Sequence, residues 1–170
     1  MGLKGKIQEN ISYNGTIKVI VNDRGHKYEL NLHNQGTKLL YDTVTKALAG
    51  YSIQNDVPKY IDITYSDNES GTYKSALLSP VVITGIIFGA PAAATSNDGK
   101  LLLNTEIDNS KKAPTSYSGD NWRLELLSVS KGILAIIENT NGQVKTIYDN
   151  ITETNEVLIE WTLKFSAPAS

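Results

Sequence analysis

The chain has 170 residues, 40% of them hydrophobic and 20% charged, with a formal net charge of −2. That length suits one domain with a sizeable interior, and the near-neutral charge excludes the basic field that nucleic acid or an acidic lipid surface would require. Cysteine is absent, which removes disulfides, thiolate metal sites and thiol nucleophiles together.

Residues 1–15 (MGLKGKIQENISYNG) are polar and lack the apolar core of a signal peptide, so they read as an arm that orders on binding. Lys6 stands where a myristoylation signal needs Ser or Thr. Thr16 to Val21 alternates as a strand, with Ile17, Val19 and Val21 on one face. Lys27 to Leu32 alternates again through Tyr28, Leu30 and Leu32. The turn cluster Asn22-Asp23-Arg24-Gly25 joins the two runs as a hairpin. One short helix is predicted at about 38–49: Thr37 is its N-cap, Leu40, Val44, Ala47 and Leu48 repeat at helical spacing, and Gly50 supplies a left-handed C-cap. A helix this short is unstable alone, so its apolar stripe is expected to plug the end or face of a sheet.

Lys59 to Tyr65 is the next predicted strand, and a polar loop over 67–72 comes after it. Val81 to Phe88 is apolar at almost every position and β-branched, which predicts a strand buried on both faces or lying at an interface. In the second case Val81, Ile83, Ile86 and Phe88 are the candidate assembly contacts. The apolar run 81–90 is about half the length needed to span a bilayer. Two loops, 89–99 and 108–120, flank a strand over Leu101 to Ile107. The last third reads as four strands: Trp122 to Val129, Ile133 to Glu138, Gln143 to Tyr148 and Glu156 to Phe165. Asn141-Gly142 serves as a hairpin turn before the third. The final run places Val157, Ile159, Trp161, Leu163 and Phe165 on one face, a burial of roughly 7–15 kcal/mol before chain entropy is counted.

About nine strands without strand–helix alternation predict a mainly all-β fold, an antiparallel β-sandwich of jelly-roll or immunoglobulin-like topology carrying the one helix. Residues 16–166 form the single domain and 167–170 a short tail. No internal repeat is present.

Catalytic chemistry finds little purchase. His26 and His33 fall in and just beyond the first hairpin, with no spacing that converges further metal ligands, so both read as exposed or edge-of-sheet residues. The chain contains no GxSxG, GxGxxG, GxxxxGK[ST] or HExxH pattern. Asp62, Asp67 and Glu69 lie near one another in sequence and would be the acid–base pair of a cleft, against the plainer reading of a strand's polar face and a solvated loop. No catalytic residue, metal or cofactor is therefore assigned. Trp122 and Trp161 read as core. Tyr60, Tyr65, Tyr73 and Tyr117, with Tyr51, remain candidates for a surface on which sugar rings stack, and a carbohydrate-binding module is the alternative function.

Four segments carry a family resemblance: Lys46-Ala47-Leu48-Ala49-Gly50-Tyr51 at the helix end, Pro58-Lys59-Tyr60-Ile61-Asp62-Ile63, the stretch from Val81 to Gly89, and the ending from Val157 to Phe165. In this order they resemble a family of small virion structural proteins of tailed bacteriophages, found as head decoration, head fibre, collar or tail components. The resemblance implies a non-enzymatic β-sandwich subunit located in the virion and assembled in the bacterial host cytoplasm. Its partners would be other virion proteins or copies of itself, as a homo-oligomer, with no nucleic acid or membrane partner. It implies no catalytic residue and no cofactor.

Overall fold

A computed structural model describes residues 12–23, 26–67, 71–89 and 98–166. The strands, in chain order, are β1 (Ser12–Asp23), β2 (His26–Gly36), β3 (Pro58–Tyr65), β4 (Lys74–Ser75), β5 (Val81–Val82), β6 (Gly85–Gly89), β7 (Asp98–Ile107), β8 (Trp122–Ser128), β9 (Ile133–Glu138) and β10 (Val157–Ser166). Helix α1 (Lys38–Leu48) lies between β2 and β3, and α2 (Gln143–Asp149) between β9 and β10. Every strand pairing is antiparallel, and the order across the sheet is β4-β3-β8-β9-β2-β1-β10-β7-β6.

This sheet curls until its ends meet through one segment. Val81 and Val82 pair with Ile61 and Tyr60 of β3, whereas Gly85 to Gly89 pair with Asn104 to Lys100 of β7. The changeover is held by the Ile83 amide donating to the Lys59 carbonyl (2.9 Å), the Thr84 amide to the Asn104 carbonyl (3.0 Å) and the buried Thr105 hydroxyl to the Val82 carbonyl (2.9 Å).

Strand alternation fills the curl. Residues directly opposite one another share a face, and the register places Leu32, Ile17, Trp161 and Leu103 in one row across four strands. On the other half Ile61 faces Leu126 and Ala135, and Ile63 faces Leu124 and Ile137. All of these are buried. β1 begins at Ser12, four residues before the predicted strand, so 12–15 belong to the sheet rather than to an arm. Gly15 is required there because a Cβ would lie 2.0 Å from the Asn34 amide that fills the space opposite it.

Both mouths of the curl carry a helix. At one, α1 buries Leu40 and ends at Gly50 in the left-handed region (φ 82°). The Gly50 amide donates to the Ala47 carbonyl (3.1 Å) and that of Tyr51 to the Lys46 carbonyl (3.0 Å), the double bond of a Schellman ending. Thr37 occupies the N-cap position but its hydroxyl does not cap the helix; it donates to the Ile133 and Leu134 carbonyls and fastens α1 to β9.

The second helix corrects the sequence reading of Gln143 to Tyr148 as a strand. Asn141 (φ 54°) and Gly142 (φ 72°) do adopt successive left-handed conformations, as a hairpin turn would need. The segment after them is nevertheless helical, because Val144, Ile147, Tyr148 and Ile151 repeat at 3-, 4- and 7-residue spacing and all four are buried over the second mouth. The Asn139 carboxamide oxygen caps the turn, accepting from the Val144 (2.9 Å) and Lys145 (3.1 Å) amides. Among the described residues no helix is long and apolar enough to cross a membrane.

Asn139→Ala removes both bonds from the start of α2 and is expected to cost about 1 kcal/mol in urea unfolding, while Asn139→Asp retains most of it. An unchanged urea midpoint for the alanine variant would show that α2 does not depend on this cap.

Candidate functional site

Beside the α2 mouth, four aromatic rings form a column. Tyr65 ends β3 directly opposite Trp122, which opens β8. Their ring centroids are 5.4 Å apart, and Tyr117 joins both, 5.4 Å from Tyr65 with planes at 24° and 6.0 Å from Trp122 at 29°. Beneath them Tyr148 of α2 meets Trp122 at 5.0 Å. Trp122 and Tyr148 are buried, whereas Tyr65 and Tyr117 are partly buried.

The loop before β8 is folded around this column. The Trp122 indole donates to the Gly119 carbonyl (2.8 Å), the Tyr148 hydroxyl to the Ala113 carbonyl (2.9 Å), and the Tyr117 amide to the Thr115 hydroxyl oxygen (3.2 Å). The Tyr117 hydroxyl lies against Gly119, where a Cβ would approach it to 2.3 Å. Tyr65 and Tyr117 thus line a groove of about 440 Å³ with Asp67, Thr115, Ser116 and Ser118 on its remaining sides. Two of the four tyrosines singled out from the sequence meet here. Tyr73 instead lies under the Arg123 guanidinium at 3.8 Å and Tyr60 has the Lys131 ammonium 5.9 Å from its ring centre, so neither joins the groove. Tyr51 is exposed next to α1.

The carboxylates resolve differently from the sequence reading. Asp62 sits opposite Glu125 in the β3–β8 register, and both are only 5% exposed. Asp67 is exposed and 3.8 Å from the Lys74 ammonium, and Glu69 lies outside the described residues. Burial pushes the Asp62 carboxyl up from the ordinary 3.8 to about 6, with the Ser75 hydroxyl (2.6 Å), the Ile63 amide and the Lys131 charge opposing the rise. Glu125 is raised by burial first and then by the Asp62 charge, and Arg123 and the Thr64 hydroxyl act against it. Glu125 was not singled out from the sequence. The signal was Glu125 itself, a carboxylate set between Leu124 and Leu126 in a predicted strand, but its cross-strand partner is a matter of register.

The run 81–89 is neither wholly buried nor one strand. Val81 and Ile83 point inward and belong to the core, not to an exposed surface. Ile86 lies opposite Leu103 and Ile87 opposite Leu102, so the two isoleucines face opposite sides of β6, and both are more than half exposed (59% and 53%). Phe88 is paired through its backbone with Leu101. His26 and His33 are exposed, and Trp122 and Trp161 are core residues as the pattern indicates. Among the described residues, no three His, Cys, Asp or Glu side chains converge to hold a metal ion.

Against protein-family models, curated proteins and solved structures, the chain gives no match.

Because the folded Asp62 carboxyl holds its proton more tightly than the unfolded one, its contribution to stability is complete below about pH 4 and is lost as the pH rises through 6. Asp62→Asn keeps an acceptor for Ser75 and removes the charge. At pH 8 it is expected to stabilise the protein by about 2–3 kcal/mol, with the advantage shrinking toward pH 4 in urea titrations. A variant less stable than the parent at pH 8 would contradict the buried-charge account.

Proposed function

We propose that the chain is a non-enzymatic assembly subunit acting through protein–protein contacts, of the kind that tailed-phage virions incorporate in many copies. The observation that carries the reading is β6: two consecutive isoleucines on opposite faces of one strand, both mostly exposed. Among the described residues β6 pairs only with β7, so its other edge is free to receive a strand. Gly85-Ile86-Ile87-Phe88-Gly89 carries no charge and no proline, the devices by which monomeric proteins blunt such an edge. The opposite end of the sheet order, β4, has only two residues, one of them a lysine. A second copy's β6 is therefore a better partner for this edge than β4 is, and antiparallel pairing of like edges closes on a twofold axis.

The four segments that resemble phage virion proteins fall on the end of α1, on β3, on the β5–β6 changeover and on β10, each a packing element. In this reading the halves β6-β7-β10-β1-β2 and β9-β8-β3-β4 face one another as the two layers of a sandwich. Acid–base catalysis draws no support from Asp62 and Glu125, which are nearly sealed from solvent.

Light scattering over a concentration series tests the proposal. The parent chain is expected to give a discrete oligomer. Ile86→Lys combined with Ile87→Lys is expected to give a monomer with unchanged far-ultraviolet circular dichroism. A parent that stays monomeric at every concentration, or a double variant that assembles normally, would remove β6 as the self-assembly surface.

A further inference from the structure

We infer that the groove lined by Tyr65, Tyr117 and Asp67 binds a neutral carbohydrate, a pyranose ring or short oligosaccharide. The site is independent of β6, and the inference does not rest on the assembly reading.

The chemistry of the lining selects the ligand. A pyranose presents C–H groups on its ring faces and hydroxyls around its rim. The faces are weakly positive and apolar, suited to the negative π-surface of an aromatic ring. Tyr65 and Tyr117 supply two nearly parallel, partly buried rings that reach the groove. They are held from behind by the buried Trp122, so little side-chain freedom is left to lose when a ligand settles. Around the rings the groove offers what a sugar rim needs. Asp67 supplies a carboxylate whose ion pair to Lys74, at 3.8 Å, is long and exposed. Thr115, Ser116 and Ser118 contribute hydroxyls, and Thr115 uses its oxygen to accept from the Tyr117 amide, which leaves its own hydrogen available to donate.

The same lining argues against other ligand classes. Among the described residues the lining of the groove contains no Lys or Arg, and Lys74 beside it is paired with Asp67, so an acidic sugar or a phosphate gains no unpaired cation there. Nor do the described residues bring any Leu, Ile, Val or Met to it, and beside the two rings Pro114 is the one wholly aliphatic side chain of the lining, little apolar area for a protein partner. A proline-rich peptide would use the aromatic rings but leave the carboxylate and the hydroxyls unmatched. The volume of about 440 Å³ lies within the range of small-molecule sites.

Trp122 is a built-in reporter, since it is buried yet within 6.0 Å of both tyrosine rings. The experiment is a titration of the full ¹⁵N-labelled chain with cellotetraose, maltotetraose, chitotetraose and galactotetraose, with sialyllactose and nonaproline as comparators. At least one neutral probe is expected to give saturable shifts confined to Tyr65, Asp67, residues 115–119 and the Trp122 indole N–H. Asp67→Asn, a change at an exposed position, is expected to weaken that binding about tenfold, the scale of a hydrogen bond to a charged group. Tyr117→Phe should preserve binding and Tyr117→Ala abolish it. If no neutral probe gives saturable shifts, if nonaproline or sialyllactose alone occupies the groove, or if Asp67→Asn binds as the parent does, the inference fails.

Discussion

The fold depends on one nine-residue segment that hydrogen-bonds both ends of its own sheet. β5 completes β3 and β6 continues from β7, with Thr105 donating from inside the curl to the Val82 carbonyl at the changeover. Here the segment changes face as it changes neighbour. Val81 and Ile83 point inward against β3. Simple alternation would then put Ile87 inward, yet Ile86 takes the face that Leu103 occupies. The one-residue slip falls at Thr84-Gly85. Because side chains alternate with a period of two, that slip inverts every side chain beyond it, so Ile86 rather than Ile87 shares the face of Leu103.

Closure also creates two mouths, and the two helices meet them with different chemistry. α1 brings Leu40, Val44 and Ala47 to Leu101, Leu134, Leu163 and Phe165, and the remaining groove of about 270 Å³ there is apolar. α2 brings Ile147 and Tyr148 to the aromatic column. The column runs from the buried Trp122 to the partly buried Tyr117, so the rigid interior is extended to the surface at this end. On the outer face between β3 and β8, Asp62 and Glu125 lie side by side, and among the described residues no ion-pair partner contacts either, a local cost that the surrounding core tolerates.

Much of this architecture was legible in local pattern. Ile17, Val19 and Val21, then Val157 to Phe165 at alternate positions, announced the two long neighbouring strands, and Leu40, Val44 and Gly50 announced α1, because strand and helix periods are properties of a few adjacent residues. Local pattern misled where two periods overlap. Gln143 to Tyr148 satisfies an alternating reading through Val144 and Tyr148 and a helical one through Val144, Ile147, Tyr148 and Ile151. Only the open mouth of the curl, which needs a 3.6-residue apolar face over it, selects the second.

By itself, then, the sequence determined a mainly β chain, its longest strands, its first helix and the inward burial of Trp122 and Trp161, all consequences of side-chain period and polarity. The tertiary structure alone decided which residues meet across strands: Asp62 with Glu125, Tyr65 with Tyr117, and Ile86 and Ile87 left outside. Each of these depends on register and closure between segments as far as some sixty residues apart. Register is set by the summed fit of whole strands against one another, a quantity that no single segment contains.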